Sequence, residues 1–499
     1  MKLNKQIVLL LIFVSCIIFP CKMNFSNDRQ KNLKLVGCWK GGILKNNSLV
    51  ESNIQLRLLS LKPDSTLALT VIYELSPRSR VWEYETEIKY EGDTLFWLAH
   101  QGFLSENGDT MHITKNWKGE ETHWRFYRDR SSDQFMNQLI TSKKSEYTYK
   151  IPEERSDDWI CSDMNDDGID EMKIVQLINH IKNGKHKDIH SILIFKNGKL
   201  VLEEYFGLKG KLSGPFVNNV FRDKVHNLAS TTKGIFSALC GIAIDKGLIG
   251  DVNEPIYKYL PEYANLFTPE KKQIMIKDML TMKAGWEWEQ FKYPWSDPRN
   301  NAAEMYKCGD VIKYVLERPL AAEPGKKFKY TNGEPTVLGA VLKNASGMEV
   351  NTFAEERLFN PLGITEYIWT RYPDGSLETD GGLALCSRDL AKIGQLFLNN
   401  GKWDGDQIIS ENWIKESIIP RVNLSRNRSF GYYWNEMKYD FDGEEEKAFF
   451  VPGDGGQFLV VLPSLKMVIV FTAGNYGVNP TTIYWNLIKN EILPAIQIK

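Results

Sequence analysis

A chain of 499 residues exceeds what one ordinary hydrophobic core organises, so two or three domains are expected. With 42% hydrophobic and 25% charged residues and no low-complexity tract, the composition is that of a globular protein and excludes a disordered or fibrous one. A formal net charge of -1, with no basic cluster interleaved with aromatics, excludes nucleic acid as an expected partner.

At the N-terminus, Lys2 and Lys5 flank the start of an apolar run from Ile7 to Phe19. That length fits the hydrophobic stretch of a secretory signal and falls short of a comfortable membrane span. Residues 1–21 therefore read as a signal peptide, and the protein as exported to the periplasm or cell envelope. Ser15-Cys16 resembles the end of a lipoprotein-type signal, although Phe13 and the apolar residues after Cys16 fit it poorly, so an N-terminal lipid anchor, a plain cleaved signal and an uncleaved anchor all stay open. The cysteines beyond this segment, Cys38, Cys161, Cys240, Cys308 and Cys386, are scattered and odd in number. They read as mostly buried thiols, with no zinc site.

From residue 33 to 130 short alternating runs such as IQLRLLSL, LALTVIY and HWRFYR are separated by turn residues, which predicts a small all-β barrel or sandwich domain. Its opening VGCWKG resembles the first strand of lipocalin-like barrels. Trp39, Trp82, Trp97, Trp117 and Trp124 read as its core. Residues 131–156 are polar and read as a linker, leaving 157–499 as the second domain. Asp163, Asn165, Asp167 and Gly168 match the first half of a calcium loop, but Ile174 stands where a bidentate Glu is required. A polar turn before a helix over Met172–Ile181 is the expectation.

IHSILIFKNGKLVLEEYF alternates on both sides of Asn197-Gly198, a strong hairpin signal. Shortly after it, Ser230 and Lys233 open an apolar run of helical spacing that ends at Gly247. Residues i and i+3 share a helix face, so the lysine amine can reach the serine hydroxyl and take its proton. A serine before an apolar helix is more often a cap, and this pair alone does not establish catalysis. Farther on, Tyr330-Thr331-Asn332 precedes a helix expected over Pro335–Asn344, and GGLALCSRDLAKIGQL predicts a helix capped by Ser387. FFVPGDGGQFLVVLP and KMVIVFTAGN read as two adjacent strands, before a last helix from Thr481 to Ile492.

Taken together, these stretches resemble the serine β-lactamase and penicillin-binding-protein superfamily over about residues 155–495. The nearest likeness is to the class C-related branch of family VIII esterases, D-aminopeptidases and 6-aminohexanoate-dimer hydrolases. The resemblance rests on Ser230-x-x-Lys233, on Tyr330-x-Asn332, and on IKDMLTMKAGWEW, YTNGEPTVLGAVL and GGLALCSRDLAKIGQL. It implies an α/β (α+β) sandwich: an antiparallel sheet flanked by helices, with a helical lobe after the nucleophile helix. It also implies that Ser230 is the nucleophile, that Lys233 and Tyr330 move its proton, and that Asn332 orients lysine and substrate, with no cofactor and no metal.

The third family motif, Lys-Thr-Gly or His-x-Gly, is replaced by Gly453-Asp454-Gly455-Gly456-Gln457. By analogy, an N–H near Gln457 would join that of Ser230 in an oxyanion hole. The missing cation, with Asp454 in its place, points away from carboxylate-bearing penicillins and peptides and towards a neutral or cationic ester or amide. The substrate class is thus a small-molecule or short-peptide ester or amide. Trp286, Trp288, Tyr293 and Trp295 are candidates for the mouth of the site or for packing, and His226 reads as a structural loop contact. A β-lactamase or DD-peptidase is the alternative enzyme, and a non-catalytic envelope binding or sensor protein is the reading from a different class.

Overall fold

The computed structural model describes the backbone of strands between Gly37 and Asp129, and residues 147–206, 222–477 and 479–497 in full. The expected signal peptide, residues 131–146 of the expected linker and the side chains of Trp39, Trp82, Trp97, Trp117 and Trp124 lie outside the described residues. Two compact units divide the chain, one of residues 1–143 with 291–303, the other of 144–290 with 304–499.

In the first unit, eight strands from Gly37–Lys45 to Glu120–Asp129 follow one another antiparallel, and the last pairs with the first to close a barrel. Of the two architectures that the alternation allowed, closure is the one that leaves no strand edge unpaired.

The second unit is built on a nine-stranded sheet. Its strands are β1 (Ile160–Cys161), β2 (Ile189–Lys196), β3 (Lys199–Tyr205), β4 (Val422–Asn423), β5 (Arg428–Phe430), β6 (Asn435–Phe441), β7 (Glu444–Gly453), β8 (Gln457–Leu462) and β9 (Met467–Ala473). They lie in the order β4-β5-β6-β7-β8-β9-β2-β3-β1. All pairs are antiparallel except the short edge strand β1, which runs parallel to β3. The β2–β3 hairpin turns at Asn197 and Gly198 with φ of 55° and 79°, the left-handed pair whose twist matches the strands.

Six helices matter for the argument: α1 (Glu171–Lys182), α2 (Thr232–Asp245), α3 (Gly333–Ser346), α4 (Ser387–Leu398), α5 (Glu411–Ile418) and α6 (Pro480–Leu487). Helix α1 buries Ile174, Leu177, Ile178 and Ile181, the i, i+3, i+4, i+7 stripe, with Asp170 as N-cap accepting from the N–H of Lys173. This stripe packs with Phe450, Phe458, Val460, Ile469 and Phe471 and with Tyr484 and Ile488. The alternate residues face the other layer, where Gly394 of α4 lies against Leu459 and Val468, and Gly234 of α2 against Val451. Helices thus cover both faces, which is why the central strands are apolar throughout.

Four sequence expectations are corrected. Residues 147–156 are no linker: Tyr149 is buried, donating to the carbonyl of Val201 at 2.9 Å, and Tyr147 donates to Glu204 at 2.6 Å. The stretch FFVPGDGGQFLVVLP is two strands, because Gly455 and Gly456, with φ of 82° and 95°, reverse the chain between β7 and β8. Ser387 does not cap α4; it is the first helical residue, and its hydroxyl meets that of Ser191 at 2.8 Å. The sheet is mixed, through β1 alone. The acidic turn behaves as a turn: Asp163 accepts from the N–H of Asn165, while Asp167 holds Asn197 and Lys199. Among the described residues, no helix is long and apolar enough to cross a membrane.

Candidate active site

Ser230 sits in a short 3-10 turn, Ala229–Thr231, that runs directly into α2. Ala229 is held at a φ of 44°, left-handed for a residue with a side chain, and the carboxamide of Asn227 accepts its N–H at 2.7 Å. The serine is not used as a cap. Its hydroxyl faces the buried Lys233, whose Nζ stands 2.9 Å from Oγ. The same Nζ donates to Oδ1 of Asn332 at 3.2 Å and to the backbone carbonyl of Asp380 at 2.5 Å. Both of these partners can only accept. With two of its positions spent on these acceptors, the lysine nitrogen turns its third towards the serine hydroxyl.

Asn332 reaches this position from the segment leading into α3. Gln290 fixes it by accepting the Asn332 N–H at 2.9 Å and donating to its Oδ1 at 3.4 Å. Tyr330 lies alongside, with Nζ of Lys233 5.2 Å from its ring centre. The structure therefore gathers all four expected residues, Ser230, Lys233, Tyr330 and Asn332, around one amine.

Asp380 escaped the sequence reading although it directly precedes the quoted GGLAL. Its buried carboxylate accepts from Tyr306 at 2.6 Å on one oxygen and from Tyr372 on the other. Burial, and then the charge of Asp380, push the Tyr372 hydroxyl well above its ordinary range, so it remains a donor. Two phenols thus pin the loop whose carbonyl holds Lys233. Gln290 left no signal either.

The third motif is distributed differently from expectation. The cleft that contains Ser230, Lys233 and Tyr330 is lined by Val451 and Pro452 of β7. Thr231 joins the Ala229–Thr231 turn to the sheet, its hydroxyl 3.3 Å from the carbonyls of Val451 and Gln457. Asp454 is exposed, and its carboxylate accepts the N–H groups of Gly455 and Gly477. The Gln457 side chain is buried and turned to β9, exchanging hydrogen bonds with Ala473 at 2.8 and 3.2 Å. None of Asp454, Gly455, Gly456 and Gln457 lines the cleft, because the two-glycine reversal separates them from β7.

A cation is present after all. Arg428, on β5, lines the same cleft. Its Nε and Nη2 grip Oδ1 of Asn435 at 3.0 and 2.7 Å, and the guanidinium lies 5.5 Å from the Phe450 ring centre. Burial lowers its pKa, with Tyr330 opposing, and no carboxylate among the described residues pairs with it. No local pattern marks this arginine, which β-sheet order alone brings across from another strand.

The aromatic candidates divide. Trp286 and Trp288 are buried packing residues, and Trp288 donates to Gln290 at 2.7 Å. Tyr293 and Trp295 belong to the segment that groups with the barrel unit. His226 makes structural contacts, as expected: its Nε2 meets Nδ1 of the half-buried His190 at 2.8 Å.

Comparison with known proteins agrees with this geometry. The Beta-lactamase family profile matches residues 181–486, more than half of the chain. The D-alanyl-D-alanine-carboxypeptidase/endopeptidase AmpH of Escherichia coli K12 is 28% identical over 184 residues, 34% of this chain and 44% of AmpH. A 6-aminohexanoate-dimer hydrolase of Paenarthrobacter ureafaciens is 24% identical over 294 residues, 54% of this chain and 71% of the relative. The chain spans about half the length of the first curated relatives it matches. Among solved structures, EstCE1, a hydrolase with promiscuous acyltransferase activity, superposes with a TM-score of 0.52 at 13% identity, covering 65% of this chain and 98% of that one. A lysine amine aimed at a helix-leading serine, on a helix-covered sheet matched by that profile, places the chain in the Beta-lactamase family, within the serine β-lactamase-like superfamily.

Proposed function

We propose that this protein is a serine hydrolase that cleaves an ester or amide bond of a small molecule or short peptide through an acyl-enzyme on Ser230. The observation that carries the reading is the 2.9 Å contact between Lys233 Nζ and Ser230 Oγ, with both other lysine partners restricted to accepting. Ser230 Oγ attacks the carbonyl carbon as its proton passes to Lys233. The oxyanion is held by the backbone N–H of Ser230 at the turn that leads into α2. Tyr330 relays a proton to the departing alkoxide or amine, and water, deprotonated by the same groups, releases the acid. None of these steps calls for a metal or an organic cofactor.

The cleft favours substrates with an anionic group near the scissile bond. A desolvated guanidinium without a carboxylate partner gains a charge-assisted pair when such a group arrives. This supports carboxylate-bearing substrates, of the kind named for the carboxypeptidase relatives, over the neutral ones that Asp454 suggested. Export, with the apolar run Ile7–Phe19 as signal and a lipid at Cys16 as the membrane attachment, belongs to the same proposal.

Intact-protein mass spectrometry with turnover of a p-nitrophenyl ester, the 6-aminohexanoate dimer and a cephalosporin tests the reading. A covalent adduct and turnover that both disappear in Ser230→Ala are expected. Arg428→Gln should lower kcat/KM by about 10- to 100-fold on the carboxylate-bearing substrates and less on the neutral ester. Absence of any adduct with all three would move the assignment to a non-catalytic envelope protein.

A further inference from the structure

On the sheet face opposite Ser230, helix α1 ends in a Schellman motif. Gly184, with a φ of 78°, lets its own N–H reach the carbonyl of Ile181 at 2.9 Å and the N–H of Lys185 reach that of His180 at 3.0 Å. The reversal brings His186 back beside His180 in the last turn of the helix, their ring centres 6.3 Å apart. From the C-terminal segment, the π-helical turn Ile488–Ile492 that follows α6 presents Glu491 to both rings. One carboxylate oxygen stands 2.7 Å from Nδ1 of His180 and the other 2.7 Å from Nε2 of His186. The ligand-type atoms of the three residues all lie within 4.8 Å of one another.

As a hydrogen-bond network this arrangement is frustrated at one atom. Nδ1 of His180 is 2.7 Å from a carboxylate oxygen and also 3.1 Å from the ammonium of Lys185. If Nδ1 carries a proton it serves the carboxylate and points a second donor at the ammonium. If it carries the lone pair it serves the ammonium and faces an oxygen that also only accepts. A single cation among the three residues removes the conflict, since both ring nitrogens and the carboxylate then offer lone pairs to one centre. Lys185 now supplies that charge from the solvent side, with 55% of its side chain exposed, and it is free to swing out.

We propose that His180, His186 and Glu491 form a binding site for a zinc-type divalent cation that clasps the C-terminal segment to α1. Two imidazoles and a carboxylate suit a borderline cation of the zinc type and leave a coordination position for water. Tetrahedral ligands at about 2.0–2.1 Å from zinc stand roughly 3.3 Å apart, a spacing that three ligand atoms already within 4.8 Å of one another reach by side-chain rotation. The site shares no residue with the cleft: α1 packs on the face carrying Phe450 and Phe458, whereas the nucleophile helix α2 packs on Val451. Its role is therefore structural.

The test titrates Zn2+ into the full, tag-free chain after chelator treatment, following calorimetry and the thermal midpoint, with Co2+ as a spectroscopic probe. One equivalent bound per chain, a midpoint raised by a few degrees, and visible cobalt d–d absorption are expected. His186→Ala and Glu491→Gln should abolish all three signals, whereas Lys185→Met, on an exposed side chain, should tighten binding by removing the competing ammonium. Chelator should leave the rate of Ser230 acylation unchanged. No stoichiometric binding to the wild-type chain, or binding that survives His186→Ala, would overturn the proposal.

Discussion

A Cβ atom added to Gly453 would stand 2.3 Å from the carbonyl oxygen of Leu228, two residues before Ser230. The same atom would meet the Thr231 hydroxyl at 2.9 Å. The end of β7 and the nucleophile turn are therefore packed backbone to backbone, which sets how close a bound carbonyl lies to both. Gly453→Ala must push the two apart, because a main-chain oxygen cannot rotate away. Destabilisation of about 1–3 kcal/mol is expected from overpacking. The accompanying displacement of Ser230 should lower kcat by about 10²-fold. Denaturant midpoints and ester kinetics on the same preparation separate the two effects.

The two tyrosines that hold Asp380 lead to a second prediction. Tyr372→Phe removes one donor from a buried carboxylate and frees the loop whose carbonyl accepts from Lys233. Turnover should fall by about 10- to 100-fold, chiefly in kcat, since the lysine loses aim rather than the substrate its contacts. An effect confined to KM would show that Asp380 does not position Lys233.

Outside the cleft, Arg388 of α4 makes a two-pronged pair with Glu203 at 2.8 and 2.6 Å and a further bond to Asp157 at 2.8 Å. Arg388→Leu leaves Glu203 charged and buried without its partner. About 3–5 kcal/mol of stability should be lost, measured by urea unfolding. The double variant Arg388→Leu, Glu203→Leu should recover part of it, because the uncompensated charge is gone.

Acid should weaken the fold in a window set by His190. Burial, and then its neighbour His226, lower its pKa from 6.5 to about 3, so the native ring is neutral. The unfolded ring takes a proton below about pH 6.5, so the unfolded state binds more protons and stability falls as the pH drops from there towards 3. Glu491, lowered from 4.5 to about 2, adds to the loss only below about pH 4.5. Between those limits His190→Gln should flatten the dependence of unfolding free energy on pH. An unchanged slope would show that another group titrates there.

Local spacing explains why part of this site was legible in advance. Ser230 and Lys233 are one helical turn apart, so their contact follows from the helix itself. The β2–β3 hairpin at Asn197-Gly198 and the buried stripe of α1 followed from turn chemistry and periodicity in the same way. Tyr330 and Asn332 entered only through resemblance, since nothing local ties position 332 to a lysine 99 residues earlier. Asp380, Gln290 and Arg428 could not be read at all, because their meaning lies in partners supplied by other segments.

The sequence by itself therefore determined the Ser230–Lys233 pairing, the element types and the family, each a matter of residues near one another along the chain. Only the tertiary structure decided the charge of the cleft. It turned Asp454 and Gln457 away through the Gly455-Gly456 reversal and carried Arg428 in on a strand two places removed from β7 in the sheet. Strand order and hairpin reversal depend on long-range hydrogen bonding, which leaves no mark in the residues between.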